Sequence, residues 1–278
     1  MVLAVVIYGV YSKYRQVTPY VPVPGCQAGT GAQAVSLDAG QAAVAATIAG
    51  VATRHRLPAE ALTIAYSAAL QESKLENLPY GDRDSVGIFQ QRPSEGWGPA
   101  ADLEDPVYAT TKFFEALVKV PGYTTMPVDQ AAQAVQHSAD GSAYEQWVDV
   151  SEQLTSYFTG ASPHGVACWY TPSGRQDLSA AVSDLTETFG PKERNGVLTG
   201  ITVDRSVKKN SSSVAVVQVR RDAGWAVACW LVAHAQEYGL HEVRYAGFEW
   251  KAADDSMSWQ RPSGPSAQKD PRGSIVAG

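Results

Sequence analysis

Cysteine is scarce in this chain of 278 residues: Cys26, Cys168 and Cys229 are all it has. No two of them have the CxxC spacing of a zinc or redox site. Cys168 and Cys229 both fall in the C-terminal half. In an exported protein they are candidates for one disulfide, which leaves Cys26 unpaired; two buried thiols are the alternative. Basic runs are also missing. Lys and Arg total 22 against 28 Asp and Glu, for a net charge of -6, which argues against nucleic acid as a main partner. His55, His137, His164, His234 and His241 are scattered, and none stands at a metal-ligand spacing from a carboxylate or cysteine. Asp82-Arg83-Asp84 lacks the alternating ligands and terminal Glu of a calcium loop. No phosphate-binding glycine loop and no G-x-S-x-G elbow occur. Neither a metal nor a cofactor is therefore expected. What the chain has is a hydrophobic fraction of 45% with 18% charged residues, which supports a packed core and excludes global disorder.

A long apolar run is lacking too. Val2–Tyr11 is apolar and Lys13 and Arg15 follow, but a bilayer span needs about 20 such residues. The charged start and small-residue cleavage site of a signal peptide are absent. Residues 1–16 are read as part of a membrane anchor, with a short apolar arm packed on the fold as the alternative. Lys13 and Arg15 on the outer side run against the positive-inside tendency. Residues 17–36 carry Thr18-Pro19, Val21-Pro22-Val23-Pro24-Gly25 and Gly29-Thr30-Gly31, the composition of a linker.

Residues 37–160 read as all-helical. Val44, Ile48 and Val51 repeat at i, i+4, i+7, as on one helix face. Pro58 opens a second helix with Leu62, Ala65, Tyr66, Ala69 and Leu70 on its apolar face. Asp105-Pro106 is a cap with a first-turn proline. Val128–His137 is shorter, and Tyr144, Trp147, Val148, Ser151, Leu154 and Phe158 mark a last amphipathic helix. Between the second and third helices lies Glu76–Glu104, a long irregular segment of the kind that is often functional.

A boundary is expected at Gly160–Gly165. Beyond it, Val166–Thr171, Val197–Val203, Val214–Val219 and Glu242–Trp250 read as strands. Ser179–Phe189 and Ala223–Tyr238 read as helices, the second stopped by Gly239. The expected fold class is α+β: an all-α domain, then a small α/β domain over 165–261, then a disordered Ser/Pro/Gly-rich tail over 262–278.

The stretch that carries chemistry is Gln71-Glu72-Ser73, followed by Gly87-Ile88-Phe89-Gln90-Gln91. Glu72 falls at the edge of the second helix's apolar face, close to the helix end. Partial burial there favours the neutral carboxyl that a general acid requires. A solvated helix-end glutamate is the plain alternative. Glu-Ser at the end of an Ala-rich helix, then a loop, then Gly-Ile-Phe-Gln with Gln90 placed 18 residues after Glu72, resembles the goose-type lysozyme and lytic transglycosylase superfamily. The run from Gly81 to Gly98 resembles that of an actinobacterial wall-associated subgroup. The resemblance covers roughly residues 40–158 and implies a lysozyme-like domain over 37–160.

By that resemblance Glu72 is the catalytic acid/base, Ser73 supports the site, and Gln90, Gln91 and Gln136 lie along bound saccharide. Trp97 either stacks on a sugar face or packs in the core. The family's Tyr-Asn-Ala-Gly block has Gln136-His137-Ser138-Ala139 as its counterpart here, a departure from the family pattern. Asp82 and Asp84 are candidates for a second carboxylate, with loop solubility and turn capping as the plainer reading. The implied activity is cleavage of the β-1,4 bond between N-acetylmuramic acid and N-acetylglucosamine in peptidoglycan. A non-catalytic wall-binding or scaffold protein is the rival reading. A subunit of an envelope secretion machine is a third. All three imply an extracytoplasmic location.

Overall fold

The computed structural model describes residues 23–137, 141–172, 175–192, 196–204, 213–253, 257–262 and 273–278. The expected anchor, residues 1–16, lies outside them. Strand β1 (Gly25–Ala28) and strand β2 (Val35–Leu37) come first, as an antiparallel pair. Helix α1 (Ala39–His55) then starts at a reciprocal cap, in which the Asp38 side chain accepts from Gln41 N–H while the Gln41 side chain accepts from Asp38 N–H. Its alanines make it buried nearly all round, from Ala42 through Ala52, so it forms the centre of the molecule rather than a surface stripe.

Helix α2 (Ala59–Ser73) follows after Pro58. Next come the short α3 (Ala100–Leu103), then α4 (Pro106–Leu117) capped by Asp105, α5 (Val128–Gln136) and α6 (Val148–Phe158). Helix α1 packs against α2, α4 and α6 on this side. The Tyr66 hydroxyl of α2 donates to Ala45 O at 2.8 Å.

The second half contributes β3 (Val166–Trp169), α7 (Leu178–Phe189), β4 (Leu198–Asp204), β5 (Val214–Val219), α8 (Gly224–Ala233), α9 (Ala235–Tyr238), β6 (Glu242–Tyr245), β7 (Phe248–Lys251) and β8 (Ser274–Ala277). A five-stranded sheet runs in the order β4-β5-β8-β6-β7, and every neighbouring pair is antiparallel. Helix α1 also packs on α7 and α8. A Cβ on Gly50 would lie 2.4 Å from Thr188 Cγ2, so glycine is what lets α7 approach that closely. One continuous cluster of buried residues therefore runs from Cys26 through Ile48 to Trp230 and Ile275.

Four expectations are corrected. The segment read as a linker over 17–36 contains β1 and β2, and β1 pairs with β3, joining the start of the described chain to its second half. Cys26 faces Cys168 in that pairing, and the two form a disulfide across 142 residues of sequence. The expected Cys168–Cys229 bond is not formed, because Cys168 lies against Cys26 in the ladder and Cys229 is a buried free thiol on α8. The tail read as disordered over 262–278 holds β8, whose four residues are all buried at the middle of the sheet. Finally, the single strand expected over Glu242–Trp250 is a hairpin, turned by Ala246 and Gly247 at φ 52° and 80°.

Candidate functional site

Glu72 sits in the last turn of α2, and the chain reverses sharply behind it. Lys74 and Leu75 both take left-handed backbone angles, at φ 59° and 63°. Such angles are costly for non-glycine residues. Here they place Leu75 fully in the core and let its N–H bond Ala69 O. The helix end is also gripped from the segment 141–147. Trp147 Nε1 donates to Gln71 Oε1 at 2.8 Å, and the Lys74 ammonium lies 4.3 Å above the Trp147 ring. The fully buried Tyr144 donates its hydroxyl to Glu72 Oε1 at 2.7 Å, and its own carbonyl accepts from Ser67 Oγ at 2.8 Å.

Opposite stands the turn Gly87–Gln90. Val86 and Gln91 exchange both backbone hydrogen bonds, so the four residues between them form a tight loop. Gly87 has φ 77°, and a Cβ there would lie 2.2 Å from Leu103 O. Phe89 plugs the loop into the core by stacking on Phe113, with centroids 4.4 Å apart. Two side chains then clamp its carbonyls. Ser73 Oγ donates to Ile88 O at 2.8 Å, and Gln136 Nε2 donates to Phe89 O at 2.8 Å.

Between the helix end and this turn lies a cleft of about 310 Å³ lined by Glu72, Asp82, Ser85, Gln90, Gln91, Arg92, Glu95, Trp97 and Gln136. The structure thus brings Glu72, Gln90, Gln91, Gln136, Trp97 and Asp82 to one concavity. Two expected site residues stand apart from it. Ser73 is buried and works as the bolt between α2 and the turn. Asp84 is taken up by Arg92 and by the N–H and hydroxyl of Ser94. The Ser94 N–H holds the Asp84 carboxyl below the usual carboxylate range, assisted by the Ser94 hydroxyl and Arg92. Arg92 is held between Asp84 and Glu95. Of the two candidate carboxylates Asp82 is the one that reaches the cleft, where Glu95 also lies; Asp82 pairs with Arg83, and its side chain is 93% exposed.

Gln91 lines the floor but is 2% exposed. Its Nε2 donates to Ala109 O at 3.2 Å, and its buried Oε1 has no hydrogen-bond partner among the described residues. Ser138 and Ala139 lie outside the described residues, so the counterpart of the Tyr-Asn-Ala-Gly block is visible only at Gln136 and His137. Tyr144 was missed as a site residue because it reads as one more apolar mark of the last helix. The usable signal is chemical: a buried phenol needs a partner for its hydroxyl.

Larger clefts exist. One of about 730 Å³ lies between α4 and α7, lined among others by Arg54, Lys112 and Glu187. Another of about 660 Å³ adjoins Arg175–Ser179. Size does not select between them. In the first, Arg54 and Lys112 are engaged, with Glu187 O and Glu115. Only in the smaller cleft does a half-buried carboxyl, hydrogen-bonded by a buried phenol, face amide and indole groups across open space. Among the described residues no group of three or more His, Cys, Asp or Glu is placed to hold a metal ion. Compared with known proteins, the chain matches no family model and no curated protein.

Proposed function

We infer that the protein is a peptidoglycan-cleaving glycosidase of lytic transglycosylase type, with residues 37–160 as a lysozyme-like catalytic domain and Glu72 as its single catalytic carboxyl. The observation that carries this reading is the Tyr144–Glu72 hydrogen bond at the edge of a cleft that also holds Gln90, Gln136 and Trp97. Glu72 protonates the glycosidic oxygen between N-acetylmuramic acid and N-acetylglucosamine. The substrate's own N-acetyl group assists, and Glu72 then acts as base toward the muramyl 6-hydroxyl. Asp84 is spent on Arg92 and Ser94, Glu95 on Arg92, and Asp82 is exposed and pairs with Arg83. A one-carboxylate scheme therefore fits better than a two-carboxylate hydrolysis, in which the second carboxylate must be held opposite the first.

In this reading Trp97 stacks on a sugar ring, Gln90 bonds sugar hydroxyls, and the later, sheet-containing segments, which share the core of α1, bind or scaffold. The chain acts outside the cytoplasm at the wall, tethered through its N-terminal segment, with glycan strands as partners and envelope-machine subunits as further ones. The Cys26–Cys168 disulfide is compatible with that oxidising location. The rival reading, a lysozyme-like binder that no longer cuts, draws on the altered Tyr-Asn-Ala-Gly block. Tyr144 weakens it by supplying a buried hydroxyl on the acid.

Purified peptidoglycan incubated with the wild type is expected to release soluble fragments. Glu72→Gln is expected to bind the same material and release none. Binding by both with release by neither would transfer the assignment to the rival reading.

A further inference from the structure

Among the described residues Tyr80 is the one Phe, Tyr or Trp side chain that is exposed, at 68%; the others are buried or half-buried. A single exposed apolar side chain needs no explanation by itself. What marks Tyr80 is its mounting. Its carbonyl accepts from Gln90 Nε2 at 3.2 Å, and Gln90 lines the cleft. The next residue is Gly81, where a Cβ would lie 1.8 Å from Gln90 Oε1, so the backbone at 80–81 lies directly against that side chain. Asp82, one residue further, is itself a lining residue. The loop behind is pinned at both ends: Asn77 Nδ2 donates to Glu104 O at 2.6 Å, Gly87 N–H to Leu78 O at 2.7 Å, and Ser85 N–H to Asp82 O at 3.1 Å. The Tyr80 ring therefore projects from a fixed base at the rim.

We propose that Tyr80 is a saccharide platform at the mouth of the Glu72 cleft, stacking on the apolar C–H face of a sugar ring beyond those held inside. A pyranose presents such a face together with hydroxyls. A ring held on a rigid base gains that contact with little ordering cost. The cleft of about 310 Å³ lies at the small end for a ligand site, so a polymeric glycan must extend over its rim. The proposal rests on the glycosidase reading above. It adds to it a residue that governs grip on the strand and leaves bond cleavage to Glu72.

The test compares full-length wild type, Tyr80→Ala and Tyr80→Phe on soluble, uncross-linked peptidoglycan strands of defined length, with melting temperature as the folding control. The expected result is a KM raised about three- to tenfold in Tyr80→Ala at unchanged kcat, the loss of one aromatic stacking contact. Tyr80→Phe should match the wild type, because the ring and not the hydroxyl makes the contact. Titration of the same strands into Glu72→Gln and Glu72→Gln/Tyr80→Ala should show the same loss in affinity. A KM within twofold of wild type for Tyr80→Ala, in a wild type that cleaves, would overturn the platform and leave the glycosidase reading standing. A wild type that neither cleaves nor binds these strands would overturn both, and that arm is read before any Tyr80 variant is compared.

Discussion

At the scale of single residues, the Glu72 carboxyl is defined by what holds it. Tyr144→Phe keeps the buried ring and removes only the hydroxyl that donates to Glu72. Hydrogen bonds to charged groups are worth about 1.5–3 kcal/mol, so kcat should fall on the order of tenfold or more with the melting temperature little changed. Steady-state kinetics beside a melting curve would check this; an unchanged kcat would remove Tyr144 from the machinery. Cys229 makes a second prediction. Burial pushes its thiol up to about 12. The folded, unreduced protein should resist alkylation at pH 8, and unfolding without reductant should expose one thiol. Reduction should expose three. Mapping the single labelled cysteine to residue 26 in place of 229 would contradict the Cys26–Cys168 pairing.

At the scale of elements, the site depends on one helix end meeting one turn. Ser73→Ala leaves the Ile88 carbonyl without the donor that ties the turn to α2. An unsatisfied buried carbonyl costs about 1–3 kcal/mol, and denaturant unfolding would measure it. Gly50→Ala sets two effects against each other on α1. Helix propensity favours alanine by about 1 kcal/mol. The new methyl group, however, would meet Thr188 at 2.4 Å, within a helix pair whose Thr188 and Phe189 are buried. Overpacking of a tight core costs roughly 1–3 kcal/mol, so the variant should be less stable than wild type.

Helix positions were readable from sequence where a cap coincided with a period. Asp105-Pro106 starts α4 as expected, and the apolar face over Leu62–Leu70 is buried in α2. Elements that depend on distant pairing were not readable. β1 looked like linker because Pro and Gly surround it, and its partner β3 lies more than a hundred residues away. β8 is four residues inside a Pro/Ser/Gly-rich stretch, and its burial comes from β5 and β6 on either side and from α8 packed against it. Glu72 and Gln90 were singled out as candidates by their motif spacing, and they line one cleft. Tyr144 was not, because neither motif reaches it.

At the scale of the whole molecule, α1 and its neighbours make one core from both halves of the chain. His234 lies in that seam, stacked on Trp230 with centroids 3.9 Å apart and Tyr238 beside both rings, and its Nε2 is 3.4 Å from Thr47 Oγ1 of α1. Burial lowers its pKa to about 4, so the folded protein holds it neutral. The unfolded chain binds a proton there near pH 6.5 and the folded one only near 4. This contribution is therefore complete above pH 6.5 and is lost as pH falls from 6.5 to 4, by roughly 3 kcal/mol. Replacing His234 by Gln should flatten the fall in stability over that window; an equal fall in both proteins would place the titrating group elsewhere.

The central claim is tested most directly by mass spectrometry of the soluble muropeptides that the wild type releases from purified peptidoglycan, with Glu72→Gln in parallel. The account predicts products lighter by one water than hydrolysed muropeptides, formed by the wild type and absent from the Glu72→Gln digest. Hydrated, reducing products would contradict the one-carboxylate chemistry and make Asp82 the next residue to replace. The same products from Glu72→Gln would contradict the assignment of the catalytic acid itself.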